Sequence, residues 1–252
     1  LIIYFIEPLR ELCELSPILK NGVNAIKRVG EIYSIDTSLI NDKIPNNLDI
    51  KFNNLEFTYN GYDKVLNNMN YNINDKDKVM VIGPSGCGKS TMFKLLAKMY
   101  QIDENMIKIG DININDINVN NFITYSSQDE KLFNDTLYNN IVLDKEDKDI
   151  NKIIDITGVR EILNKRNLTI NSVIEEEGGN LSKGEKQKII LSRVLLRNSK
   201  IIILDESLSG VESNEEFNII KNILDNFKDC TIIYISHSKE CISLFDKILN
   251  FN

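Results

Sequence analysis

Apolar residues near the start of the chain recur every three or four positions, at Leu9, Leu12, Leu15, Leu19, Val23, Ile26 and Val29, with charges between them. That period is helical, so it predicts one long helix from Leu9 to Ile35, bent near Pro8 and Pro17 where a backbone donor is lost. Periodicity alone makes it an amphipathic helix packed on its own domain. Ser34 to Asn47, with Pro45 among several Asn and Asp, reads as a linker. After it the pattern turns to strands. Ile50 to Tyr59 and Val65 to Ile73 are joined by the turn-rich Asn60-Gly61-Tyr62-Asp63, which favours a hairpin. Val79 to Ile82 is a short apolar run of the kind a buried strand shows, and a helical run from Met92 to Tyr100 follows it.

The rest of the chain alternates. Met106 to Ile109, the Gly110-Asp111 turn and Phe122 to Tyr125 give short strands, and Asp135 to Leu143 reads as a helix capped by Asp135. Two more short helices, Asp149 to Thr157 and Val159 to Lys165, look like a helical insertion. A helix from Ser182 to Leu196, the apolar strand Lys200 to Leu204, a helix Glu212 to Phe227, a strand Thr231 to Ile235, a helix Lys239 to Phe245 and a strand Lys247 to Phe251 complete the order. Strands alternating with helices imply a parallel sheet covered on both faces.

Between the run Val79 to Ile82 and its helix stands Gly83-Pro84-Ser85-Gly86-Cys87-Gly88-Lys89-Ser90-Thr91. Gly83, four residues, then Gly88-Lys89-Ser90 is the phosphate-loop pattern, framed by a strand before and a helix after as that pattern requires. Glycines at Gly83, Gly86 and Gly88 let successive N–H groups turn inward at a helix N-terminus, where an anion is favoured. Lys89 would then reach the terminal phosphates and Ser90 would hold Mg²⁺ through its hydroxyl. A second concentration of chemistry lies where Ile201-Ile202-Ile203-Leu204 runs into Asp205-Glu206. Parallel sheets place ligands at the carboxyl ends of their strands, and two acids together there call for a cation. Asp205 suits support of Mg²⁺, and Glu206 suits the general base that polarises an attacking water.

Bulk properties narrow the partners. A chain of 252 residues can bury one substantial core plus a smaller subdomain, and 42% hydrophobic with 27% charged residues indicates neither disorder nor a membrane-embedded body. The formal net charge of -7 argues against wrapping nucleic acid. Cys13, Cys87, Cys230 and Cys241 show no metal-ligand spacing, and a disulfide at Cys87 would distort the loop, so reduced thiols and a cytosolic setting follow. Leu1 to Ile6 is apolar but far too short to cross a bilayer, and reads as the end of a longer membrane helix.

Asn180-Leu181-Ser182-Lys183-Gly184-Glu185-Lys186-Gln187 resembles the Leu-Ser-Gly-Gly-Gln signature of ATP-binding cassette (ABC) proteins. The resemblance implies an α/β fold, a P-loop NTPase core with an antiparallel β subdomain and a helical subdomain, preceded by an N-terminal helix. It implies that Ser182 and Gly184 contact the γ-phosphate of ATP held by another subunit's phosphate loop. Lys183 and Glu185 depart from the pattern, and Glu185 would be unfavourable facing a nucleotide. Gln128 resembles the glutamine that touches Mg²⁺ or water and senses the membrane domain. Tyr59 resembles the aromatic that stacks on adenine, with Tyr62 and Phe57 as competitors, and His237 resembles the switch histidine that bridges γ-phosphate and Glu206. Ser209-Gly210-Val211-Glu212 stands where the family has Ser-Ala-Leu-Asp.

Val173 to Gly178, with Glu176 as its acid, is similar to an exporter motif that contacts transmembrane coupling helices. The stretch from Tyr4 to Ile32 is similar to the last membrane helix of peptide exporters that carry a protease domain. The implied layout is residues 1–35 as the end of that helix and its cytoplasmic extension, 36–47 as linker, and 48–252 as the nucleotide-binding domain, ending short of the family's usual final hairpin and helix. The expected function is ATP hydrolysis powering export, with peptide as one candidate substrate, at the cytoplasmic face of the cell membrane. Expected partners are a second nucleotide-binding domain, a homodimer before a heterodimer, and a transmembrane domain, with membrane contact through the N-terminal helix and no nucleic acid. Two alternatives are a soluble cassette ATPase acting on nucleic acid or ribosomes, and a regulatory subunit of a heterodimeric transporter.

Overall fold

The computed structural model describes residues 3–33, 43–59, 61, 63–127, 130–143, 149–175 and 178–251. The chain divides into two compact units, Leu1–Ile40 and Asn41–Asn252. The first contains α1, Ile3–Tyr33, a helix of 31 residues. It starts six residues before the expected Leu9, because the apolar run at its head continues the same helix, and it runs unbroken through Pro8 and Pro17. One lost hydrogen bond per proline is tolerated when the adjoining turns keep theirs. The side chains of Leu15, Leu19, Val23, Ile26 and Val29 form an apolar stripe and are exposed. Among the described residues no helix is long and apolar enough to cross a membrane.

The second unit is built on two sheets. β1 (Ile50–Thr58) and β2 (Lys64–Ile73) form the antiparallel hairpin, with Ile50 opposite Ile73 and register shifts after Phe52. β1 also pairs with β4 (Ile107–Ile109), and β4 with β5 (Ile112–Asn113), giving the order β2-β1-β4-β5. The larger sheet is parallel, with β6 (Ile123–Ser126), β7 (Ile201–Asp205), β8 (Thr231–Ile235), β3 (Lys78–Ile82) and β9 (Lys247–Asn250) in the order β6-β7-β8-β3-β9. Its central strands β7 and β8 are buried along their whole length because both faces are covered there, whereas the edge strand β9 is partly exposed. Ile201 and Ile203 point into one buried cluster with Phe52 and Phe93, while Ile202 and Leu204 point into the other with Leu191 and Ile220. Each such side chain, fully buried, contributes about 1.5–3 kcal/mol.

Helices α2 (Lys89–Leu96), α3 (Leu137–Val142), α4 (Ile150–Ile156), α5 (Val159–Arg166), α6 (Lys183–Leu196) and α7 (Ser213–Asn226) complete the unit, α4 and α5 forming the expected insertion and packing, like α3, against α6. Two expectations are corrected. The cap of α3 is Thr136, whose hydroxyl accepts from Asn139 N–H at 3.0 Å, while Asp135 lies one residue outside and accepts from Thr136 N–H. Thr136 carries the extended backbone a cap needs, and Asp135 keeps its acid below the ordinary value through bonds from the Asn139 side chain and that N–H. The expected helix Lys239 to Phe245 is a tight 3₁₀ segment, Glu240–Leu244, since a connection this short closes with the smaller turn.

The strand order matters most for function. β7, β8 and β3 are parallel neighbours, so the loops leaving their carboxyl ends emerge side by side.

Candidate nucleotide site

Three loops meet at that edge: Gly83 to Gly88 after β3, Glu206 after β7, and Ser236-His237-Ser238 after β8. In the first, Gly88 has φ +97°, and a Cβ there would lie 2.6 Å from Leu66 Cδ2, so β2 packs directly against the loop's last turn. Gly86 also has positive φ, +81°, but nothing lies within 4 Å of the place its Cβ would take. The loop is therefore tight against the protein at Gly83 and Gly88 and open at Gly86, a cradle suited to an anion. Lys89, 5% exposed, folds its ammonium back over this cradle and donates to Gly83 O at 2.8 Å and Pro84 O at 2.7 Å.

Ser90 begins the linkage to β7. Its hydroxyl donates to Asp205 Oδ1 at 3.0 Å, although the two residues are 115 apart in sequence. Asp205 is itself 4% exposed, and its other oxygen accepts from the Tyr125 hydroxyl at 2.5 Å. Burial, then the charge of Asp205, push the Tyr125 phenol far above its ordinary pKa, so it acts as a neutral donor. Sequence reasoning missed Tyr125, which reads only as a strand residue between Thr124 and Ser126. Ser90 and Asp205 fit a hard cation, which takes oxygen ligands. Among the described residues no group of three His, Cys, Asp or Glu side chains could hold a metal unaided.

Glu206 departs from the strand with φ +49°, an uncommon conformation for a side chain of its size, and its N–H donates to Ile235 O at 3.0 Å. That bond ties the end of β7 to the end of β8. The Glu206 carboxylate stands 3.6 Å from His237 Nε2. The structure thus brings Lys89, Ser90, Asp205, Glu206 and His237 to one edge.

Tyr59 borders the cradle. It is 46% exposed, its hydroxyl hydrogen-bonds Thr91 Oγ1 at 3.0 Å, and its ring meets Phe57 and Tyr100 edge-on. Phe57, one of its competitors, supports that ring at a centroid distance of 5.0 Å. Gln128, Tyr62 and Glu176 lie outside the described residues.

Ser182 and Gly184 belong to a different cluster, and no hydrogen bond among the described residues joins them to Lys89 or Glu206. Ser182 caps α6 in a reciprocal box: its hydroxyl accepts from Glu185 N–H, and its N–H donates to Glu185 Oε2 at 2.7 Å. Arg166 closes the arrangement with two bonds to the Glu185 carboxylate, each 2.7 Å, and one to Asn180 O. Partial burial works against the Glu185 charge, but the guanidinium and Ser182 outweigh it and hold the carboxyl below its ordinary value. Glu185 is therefore occupied within its own subunit, and the objection that it would face a nucleotide falls away. Gly184 is needed for close approach, since a Cβ there would lie 2.6 Å from Gly210 O. Gln187 locks the same contact by donating to Ser209 Oγ at 3.0 Å and accepting from Gly210 N–H at 2.7 Å.

A glycine cradle heading a helix, with a buried acid at the end of the adjoining parallel strands, defines a P-loop nucleotide-binding domain. Comparison with known proteins specifies which. Residues 66–209 match the family described as ABC transporter. Over 261 aligned residues the chain is 35% identical to the lactococcin-G-processing and transport ATP-binding protein LagD of Lactococcus lactis, covering 99% of this chain and 37% of that protein. It is 32% identical to the ATP-dependent lipid A-core flippase 2 of Colwellia psychrerythraea, covering 98% of this chain and 44% of that one. A bacterial Atm1-family ABC exporter solved with ATP bound shares the fold, with a TM-score of 0.83 at 23% identity over 99% of this chain and 46% of the other. The chain belongs to the ABC transporter family and forms its ATP-binding domain. It spans about two-fifths of the length of these relatives.

Proposed function

We propose that this chain hydrolyses ATP with Mg²⁺ to power export across a membrane, and that it works as a pair. The observation carrying this reading is the meeting of Glu206 and His237, 3.6 Å apart, beside the Ser90–Asp205 pair. Lys89 and the loop N–H groups bind the phosphates, and Tyr59 offers a ring for adenine. Ser90 and Asp205, with Gln128, would hold Mg²⁺, which when bound would neutralise phosphate charge. Glu206 accepts a proton from the attacking water, and His237 orients that carboxylate against the terminal phosphate. Ser182 and Gly184 of the partner subunit complete the site, which accounts for their separation from Lys89 within one chain. Each chain carries both an acceptor half and a donating half, which favours two identical copies.

Residues 1–35 are proposed as the end of the last transmembrane helix and its cytoplasmic extension, 36–47 as linker, and 48–252 as the ATPase domain on the cytoplasmic face of the cell membrane. The LagD alignment supports this, because it covers 99% of the chain and so includes α1. Two relatives whose names specify different cargoes, a lactococcin and a lipid A core, match at 35% and 32%, so the ATPase part carries little information about substrate. The LagD likeness gives peptide its place as first candidate.

The decisive experiment is Glu206→Gln. Turnover should fall about 10²–10⁴-fold, the size of a general-base contribution, while MgATP binding survives and a nucleotide-trapped dimer accumulates. Near-normal hydrolysis in that variant would remove Glu206 from the role.

A further inference from the structure

Glu216 has no part in the site just described, yet it is a carboxylate 7% exposed in the first turn of α7. Burying a charge is costly unless it is hydrogen-bonded, so its partners are informative. Oε1 accepts from the Ser236 hydroxyl at 3.1 Å and from the Tyr234 hydroxyl in a short contact. Burial, then the Glu216 charge, push the Tyr234 phenol well above its ordinary pKa, so it is the neutral donor of that pair. Ser236 has a second partner, the N–H of Ser238 at 3.1 Å. A backbone N–H can only donate, so the Ser236 oxygen must accept there, and its one proton is left for Glu216. The order of donors is thus fixed: Ser238 N–H to Ser236 Oγ, and Ser236 O–H to Glu216.

His237 is the residue enclosed by that turn. Its side chain is 51% exposed and 3.6 Å from Glu206, beyond a direct hydrogen bond, so its place depends on the backbone carrying it. The base of the turn is fixed elsewhere, through Glu206 N–H to Ile235 O. The far side is held by Ser236 and, behind it, by Glu216. α7 is already docked by Ile219, Ile220 and Ile223, all buried, so docking the helix gives no reason for a carboxylate in its first turn.

We propose that Glu216 is a positioning residue for the ATPase reaction, acting through Ser236 to hold the turn that presents His237 to Glu206. This rests on the reading of Glu206 and His237 given above. Glu216→Ala should lower kcat about 10- to 100-fold, the penalty of displacing a reacting group by up to about 1 Å, while the Kd for MgATP stays within about twofold. Glu216→Gln keeps an oxygen acceptor at the same place and should restore most of the turnover.

The deciding measurement is the same pair of variants in a His237→Ala background, followed by single-turnover hydrolysis. With His237 gone, Glu216→Ala should cost nothing further. An equal loss with and without His237, or an unchanged kcat in Glu216→Ala, overturns the proposal. Should Glu216→Ala fail to fold, Ser236→Ala removes the middle link with a smaller change, and the same two outcomes decide. If His237→Ala alone hydrolyses ATP at the normal rate, the assignment of His237 fails and the positioning role fails with it; if His237→Ala is slow but Glu216→Ala is not, only the positioning role fails.

Discussion

Replacing Gly88 with alanine tests whether the cradle has the shape described. The new methyl would meet Leu66 Cδ2 at 2.6 Å and Val65 O at 3.0 Å, and the backbone would have to hold φ at +97°. A left-handed conformation costs an L-residue about 1–2 kcal/mol. Forcing a methyl into packed surroundings adds about 1–3 kcal/mol, because Leu66, whose terminal methyl it meets, is itself buried in the core and Val65 O belongs to the strand backbone. The total is about 2–5 kcal/mol, and it can appear in two places. If the loop keeps its shape, stability falls, and for a protein of this size Tm drops by about 2–4 °C per kcal/mol. If the loop opens to relieve the strain, Tm is spared and MgATP affinity falls, by about tenfold for each 1.4 kcal/mol. Thermal unfolding without nucleotide and calorimetric titration with MgATP measure the two shares, whose sum should lie within the range. Unchanged Tm together with unchanged affinity would refute the close packing of β2 on the loop.

Ser182→Arg places a bulky cation where the partner's phosphate is proposed to sit and removes the cap of α6, which is worth about 1 kcal/mol. Nucleotide-driven dimerisation should be lost while the monomer still binds ATP, and light scattering that shows an unchanged dimer population would overturn the shared-site reading. Glu185 predicts a pH effect. Its folded carboxyl lies below the ordinary value, so its contribution to stability is complete above the unfolded pKa of about 4.3 and disappears as pH falls through the folded value. The stability difference between the protein and Glu185→Gln, measured by denaturant unfolding, should be constant near neutrality and shrink in acid; a difference that persists at the lowest accessible pH would show that the Arg166 pair does not set the shift.

Much of the site was legible because it is local. Gly83, Gly86, Gly88, Lys89 and Ser90 are read from spacing, since a tight loop between a strand and a helix demands those backbone freedoms in that order. Ser182 was legible as the start of a helix, and Asp205-Glu206 as acids closing a buried strand. The misreadings at Asp135 and at Lys239 to Phe245 are also local, each turning on one residue's backbone conformation that propensity does not fix.

What the sequence by itself determined is the series of elements and the residues at their ends, because hydrophobic period and turn chemistry act over a few neighbours. The tertiary structure alone decided that β8 lies between β7 and β3, and therefore that Glu206 and His237 face each other. It likewise decided that Tyr125 and Ser90 share Asp205, that Arg166 occupies Glu185, and that Glu216 is spent on Ser236. These partners lie 19 to 115 residues apart. Their meeting follows from strand order and from burial that leaves a polar group no water to turn to, and neither is written in the spacing of the residues concerned.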